Sequence, residues 1–340
     1  MAYAGGTLSG VGISRAVAER ARSRAVARSA PRWPSTTRVL SPSSRASSSE
    51  ARAGTSSGAN RPCSTPFASS ASRSRCQPSS ISSWAALSGY IDDVVEPRTA
   101  ALLEPYTGCG THRGETFYPA EEFAELLAGL DARGFQCFVH ATGDRGIRTV
   151  LDAVEHARTV NGPREARHQV VHVECLDPAD VPRFAELGVV ACMQPRHCAP
   201  EIAGPGQDWA ENVGEDRWHK AWPMRSLHEA GAVLAFSSDW NVAEMDPMVG
   251  IYTAVTRRPL DGGDPWQPAE TVDVRTGVYG YTMGSAHANF LEAERGSLTV
   301  GKAADFVVLS RDILAIAAER IPGTVAETVV VAGEVVHRTA

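Results

Sequence analysis

No Cys-x-x-Cys pair occurs in this chain of 340 residues, although it has seven cysteines, at positions 63, 76, 109, 137, 175, 192 and 198. Neither a zinc ribbon nor a disulfide framework is therefore indicated. Cys137 and Cys192 lie in apolar runs and read as buried thiols, which fits a reducing cytoplasm best. No apolar run approaches the roughly 18 residues of a membrane-spanning helix, so no membrane partner is expected. From residue 86 onward no Gly-x-Ser-x-Gly elbow occurs, which argues against a nucleophilic serine hydrolase. The net charge of -6 argues against nucleic acid as a partner.

Acidic residues are scarce in one place only. Residues 1–85 hold 22 Ser and 12 Arg, with no Lys, no Asp and two Glu. That segment carries about +10, leaving about -16 for the remainder. Its apolar residues follow neither a strand nor a helix period. Stretches such as Ser41-Pro-Ser-Ser-Arg-Ala-Ser-Ser-Ser-Glu50 offer too little apolar surface to offset chain entropy. Three readings stay open: a disordered tail, a long transit peptide, or a GC-rich coding region translated out of frame.

From about residue 86 the pattern changes. Phe135-Gln-Cys-Phe-Val-His140 is a short apolar run ending in histidine, followed by small residues, Asp144 and a helical pattern. The same order of strand, turn and helix recurs at His168-Gln-Val-Val-His172 and at Ala232-Val-Leu-Ala-Phe-Ser-Ser-Asp239. Helices are expected over 119–133, with Phe123, Leu126, Leu127 and Leu130 as the apolar stripe, over 145–158, after Asp177-Pro178, and over 222–230. Strands are expected at 89–96, 135–140, 168–173, 188–193 and 232–238. Strands alternating with helices argue for four or five parallel βα units. In such folds chemistry collects at strand C-termini, and two imidazoles with a carboxylate from three strands make a plausible divalent-metal site. Residues 296–340 are β-rich, with Gly333-Glu334 placed as a hairpin turn. Three regions result: 1–85, 86–295 and 296–340.

Read in order, several motifs resemble the amidohydrolase superfamily, in particular its YtcJ-like amidohydrolase 3 branch. They are Glu96-Pro-Arg-Thr-Ala-Ala-Leu-Leu-Glu-Pro-Tyr106, His140-Ala-Thr-Gly-Asp144, Val171-His172-Val-Glu174, Met193-Gln-Pro-Arg-His197, Ser237-Ser-Asp239-Trp240 and Gly296-Ser-Leu-Thr-Val-Gly-Lys302-Ala-Ala-Asp305. The resemblance covers about residues 87–338. It implies an α/β fold: part of a (β/α)8 barrel, about strands 4–8, plus strands of a small β-sandwich. It implies a hydrolase of non-peptide carbon–nitrogen bonds in a small-molecule substrate, with one or two divalent metals, zinc before iron or manganese. Carried over, His140 and His172 are metal ligands, and Asp239 is both ligand and general base. His197 is a substrate contact, and Asp144 and Glu174 support the ligands from behind. Two features depart from the family. The chain has no His-x-His and no histidine before His112, and the position of a metal-bridging lysine falls at Ser88. The first half of the barrel is expected to be missing or scrambled, with weak or no activity and poor solubility.

Plainer roles stand beside these. Asp144 reads as a helix N-cap more readily than as a ligand. His168, at a strand's entry, reads as structural. Arg217 and Trp218 are candidate substrate contacts, but a solvated loop charge and a packing indole describe them equally well. Three functions compete: a metal-dependent hydrolase, possible as a homo-oligomer; an inactive truncated relic; and a binding protein whose basic tail holds an acidic partner.

Overall fold

A computed structural model describes residues 86–339; the readings made for residues 1–85 lie outside them. Five strands form one parallel sheet in chain order: β1 (Ala86–Tyr90), β2 (Gln136–Ala141), β3 (Gln169–His172), β4 (Val190–Met193) and β5 (Leu234–Phe236). Helices follow the strands: α1 (Ala120–Asp131) before β2, α2 (Asp144–Asn161) before β3 and α3 (Val181–Leu187) before β4. After β4 come a 3₁₀ turn, Pro195–Cys198, and the short helices α4 (Pro200–Ala203), α5 (Asp208–Val213) and α6 (Met224–Glu229). α7 (Pro247–Thr256), α8 (Val274–Tyr279) and α9 (Ser285–Ala288) follow β5.

The register aligns one lateral row across the sheet: Tyr90 opposite His140, His140 opposite Val171, Val171 opposite Cys192 and Cys192 opposite Ala235. Alternation along each strand puts these side chains on one face. The opposite face carries Val139, Val170, Ala191 and Met193 into a core with Ile147, Leu151 and Phe184 from the helices. The strand ends come level: Ala141 pairs with His172 and Met193 with Phe236. The Val173 amide donates to Ala141 O (3.2 Å) and the Ser237 amide to Met193 O (3.0 Å), carrying the ladder one step further.

Several local expectations need correction. The first strand spans 86–90, not 89–96. Asp92 ends it by turning its carboxylate onto the Ala101, Thr142 and Gly143 amides at 2.9–3.0 Å, which draws the chain off the ladder. Leu126, expected in the buried stripe of α1, is 45% exposed, because the helix turns Phe123, Leu127 and Ala128 inward. Asp144 is not the N-cap of α2. Gly143 holds that place, and it makes no side-chain cap bond.

Cys137, Cys175, Cys192 and Cys198 are buried free thiols. Residues 306–338 form a separate antiparallel sheet of β6 (Phe306–Leu309), β7 (Ala326–Val331) and β8 (Glu334–Arg338). Ala332 and Gly333, both at positive φ, make the two-residue turn that hairpins favour. Among the described residues, no helix is long and apolar enough to cross a membrane.

Candidate metal centre

Three polar side chains meet beyond the C-terminal ends of the parallel strands. His172 ends β3. His197 lies on the turn after β4, and Asp239 lies three residues past β5. The backbone is bent at two of these points. His172 (φ 79°), Val173 (φ 52°) and Asp239 (φ 56°) are all left-handed. For a residue other than glycine this costs about 1–3 kcal/mol and recurs where function fixes the chain.

One ligand atom each from His172, His197 and Asp239 falls within 4.8 Å of the other two. His140 adjoins the group. Its ring stands edge-on to His172 with centroids 4.4 Å apart, and Tyr90 covers it at 4.7 Å. Its Nε2 lies 3.3 Å from Asp93 O. His140 is thus beside the cluster, whereas His197, expected as a substrate contact, stands within it.

Charge state favours cation binding. Burial, then the neighbouring His140 and His197 imidazoles, pushes the His172 pKa well below its ordinary value. Burial lowers His140 as well. Neutral imidazole is the form that ligates a metal. His172 Nδ1 and His197 Nε2 are buried without a hydrogen-bond partner, and a buried polar atom left so is costly. Two nitrogens and a carboxylate at this spacing suit a divalent cation of the zinc type. The residues therefore fit the metal that the motifs imply.

The supporting residues fall into two groups. Glu174 accepts from Trp209 Nε1 (3.2 Å), and its other oxygen lies 3.9 Å from His197 Nδ1, so it backs that imidazole. Asp144 does not reach the cluster through any of its bonds. It accepts from the Leu103 amide (2.7 Å) and from Lys220 Nζ (2.8 Å), and Lys220 also holds Asp177 at 3.0 Å. Arg217 donates to Glu104 O (3.4 Å) and Thr107 Oγ1 (3.3 Å), tying down a loop. The Trp218 indole donates to Ala210 O (2.9 Å) and packs on Trp266. His168 is structural: its Nδ1 accepts from the Cys137 amide, and its Nε2–H donates to Asp131.

Sequence reasoning passed over Asp92. Its fully buried carboxyl is pushed up to about 7 by burial, against three backbone donors that pull it down. A Cβ added to Gly146 would stand 2.4 Å from Asp92 Oδ2, so the start of α2 seats directly on this carboxyl. A glycine one turn into a helix was the available signal, since glycine there weakens a helix unless close packing requires it.

A parallel α/β sheet with imidazoles and a carboxylate at its C-terminal rim defines a fold of the metal-dependent hydrolase type. The chain belongs to the amidohydrolase family, which residues 74–337 match. It is 32% identical to Protein LONG AFTER FAR-RED 3 of Arabidopsis thaliana over 68% of this chain and 40% of that protein. It is 29% identical to the putative amidohydrolase YtcJ of Bacillus subtilis over 73% of this chain and 46% of that one. With the N-substituted formamide deformylase of Arthrobacter pascens it shares 31% identity, over 62% and 38%. The chain thus spans less than half the length of these relatives. Among solved structures, an uncharacterized metal-dependent hydrolase from Pyrococcus furiosus matches 67% of this chain and 44% of its own, at 29% identity and a TM-score of 0.57.

Proposed function

We propose that this chain forms the metal-binding part of a hydrolase that cleaves a non-peptide carbon–nitrogen bond of a small molecule. The observation that carries this reading is the meeting of His172, His197 and Asp239 within 4.8 Å. A bound zinc ion would supply positive charge, polarising a carbonyl and lowering the pKa of water from about 15.7 towards about 7. His172 and His197 would hold that ion through one imidazole nitrogen each, and His140 buttresses His172 by edge contact. Asp239 takes the proton of the attacking water and returns it to the departing nitrogen. Glu174 stands 3.9 Å from His197 Nδ1, in the place of an outer partner to a ligand. N-substituted formamides are the first substrates to try, because a relative of 31% identity is named for that deformylation. The buried thiols support a reducing, cytoplasmic setting.

A second reading is a catalytically inert relic. It is favoured by Ser88, which stands where the family motifs place a metal-bridging lysine. Metal analysis of the purified chain, followed by assay against formamides and other amides, separates the two. Stoichiometric zinc with turnover supports the hydrolase. Bound zinc without turnover at high protein concentration leaves the relic.

A further inference from the structure

Arg196 sits one residue before His197, and its exposure is 7%. Its guanidinium does not face the cluster. It reaches across to the segment that carries Asp239. Arg196 Nε donates to Glu244 Oε2 (3.1 Å) and Nη2 to Glu244 Oε1 (3.5 Å), a two-pronged grip on one carboxylate. Nη1 holds Glu201 at 2.6 Å on the other side. Paired Arg–carboxylate bonds fix orientation as well as distance.

The segment needs such a hold. After Asp239, Trp240, Val242 and Met245 are all exposed, so few apolar contacts fasten residues 240–245. Asp239 itself is left-handed, a conformation that persists only where the surroundings enforce it. Two side-chain links join the His197 turn to this segment. Gln194 Nε2 donates to Ser237 Oγ (2.9 Å), two residues before Asp239, and Arg196 grips Glu244, five residues after it. Asp239 is bracketed between them.

We propose that Arg196 is a positioning residue, whose grip on Glu244 holds the Asp239 loop against the His197 turn so that both side chains reach one cation. The inference rests on the metal-centre reading above, and two readouts keep the two apart. Glu244 is half in solvent, so Glu244→Gln removes the charge without threatening the core. Arg196→Lys keeps the charge and loses the fork. Glu201→Gln removes the other ion pair and leaves the loop's tether intact. Hydrogen exchange by mass spectrometry over residues 239–246 reads the loop, and chelator competition with Zn²⁺ reads the site, both on the full chain.

The proposal predicts loop exchange about tenfold faster in Glu244→Gln and Arg196→Lys. It also predicts a zinc dissociation constant raised about tenfold in both, with Glu201→Gln within about twofold of wild type on each measure. Wild-type exchange in Glu244→Gln overturns the proposal, and so does faster exchange with unchanged zinc affinity. If the wild-type chain binds no zinc, the metal-centre reading falls and takes ligand positioning with it; the exchange result then shows whether the tether exists at all.

Discussion

The placing of His172 and Asp239 at the C-terminal rim of the sheet was legible because each closes an apolar run, and a parallel strand delivers its last side chain there. The place of His197 in the cluster was not. It follows its strand by four residues, and only the 3₁₀ turn Pro195–Cys198 swings it into the group. His140 and His197 therefore make different predictions. His197→Ala is expected to weaken zinc binding by about 10–100-fold, and His140→Ala by less, in a chelator competition. The reverse order would restore His140 as the primary ligand. Asp92 offers a test of packing. Gly146→Ala would drive a methyl into its carboxyl and lower stability by about 1–3 kcal/mol in urea unfolding. An unchanged midpoint would show that the seat is looser than described. Asp144 reads as a cap in sequence because nothing local reveals Lys220, 76 residues away, as its partner.

At the scale of elements, alternation and helix periodicity located β2 to β5 and the long helices to within a few residues. They failed at β1, where a side chain bonding to distant amides ended the strand. Lys220 links three elements: α2 through Asp144, the turn before α3 through Asp177, and the 3₁₀ segment Glu215–Lys220 that carries it. Lys220→Met leaves the buried Asp144 carboxylate without its cation, while Arg148 still reaches Asp177 at 3.3 Å, and a loss of about 3 kcal/mol is expected by chemical denaturation. Two buried groups that fasten elements titrate in opposite senses. His168 is held below its usual 6.5 by burial, so folded protein binds fewer protons there than unfolded. Its contribution is present above pH 6.5 and is lost as pH falls below that value. Asp92, raised from 3.8 to about 7, binds more protons when folded. Its contribution is present below pH 3.8 and is lost as pH rises through 7. The two slopes oppose each other just below pH 6.5, where His168 begins to charge in the unfolded chain while Asp92 still titrates. Asp92→Asn removes one of them, so its stability should fall more steeply on acidification than that of wild type. Parallel curves for the two proteins would show that Asp92 does not titrate in this range.

At the scale of the molecule, β1 and β5 are the edge strands of the parallel sheet among the described residues. Leu87 and Tyr90 on β1 join Leu126 of α1 as exposed apolar side chains around a cavity of about 120 Å³. Open edges beside apolar surface invite association, so concentration-dependent self-association is expected in light scattering. Leu126→Glu should reduce it with little change in stability. A wild-type chain that stays monomeric throughout would contradict this. The charge asymmetry is plain in the sequence, whereas only strand pairing shows that β1 and β5 flank the described sheet.

The most direct test of the central claim is zinc titration of chelator-stripped protein, comparing wild type with His172→Ala and Asp239→Asn. The account predicts saturable binding near one equivalent in the wild type, weakened at least about tenfold in each variant. No saturable binding, or equal binding in all three, would contradict it.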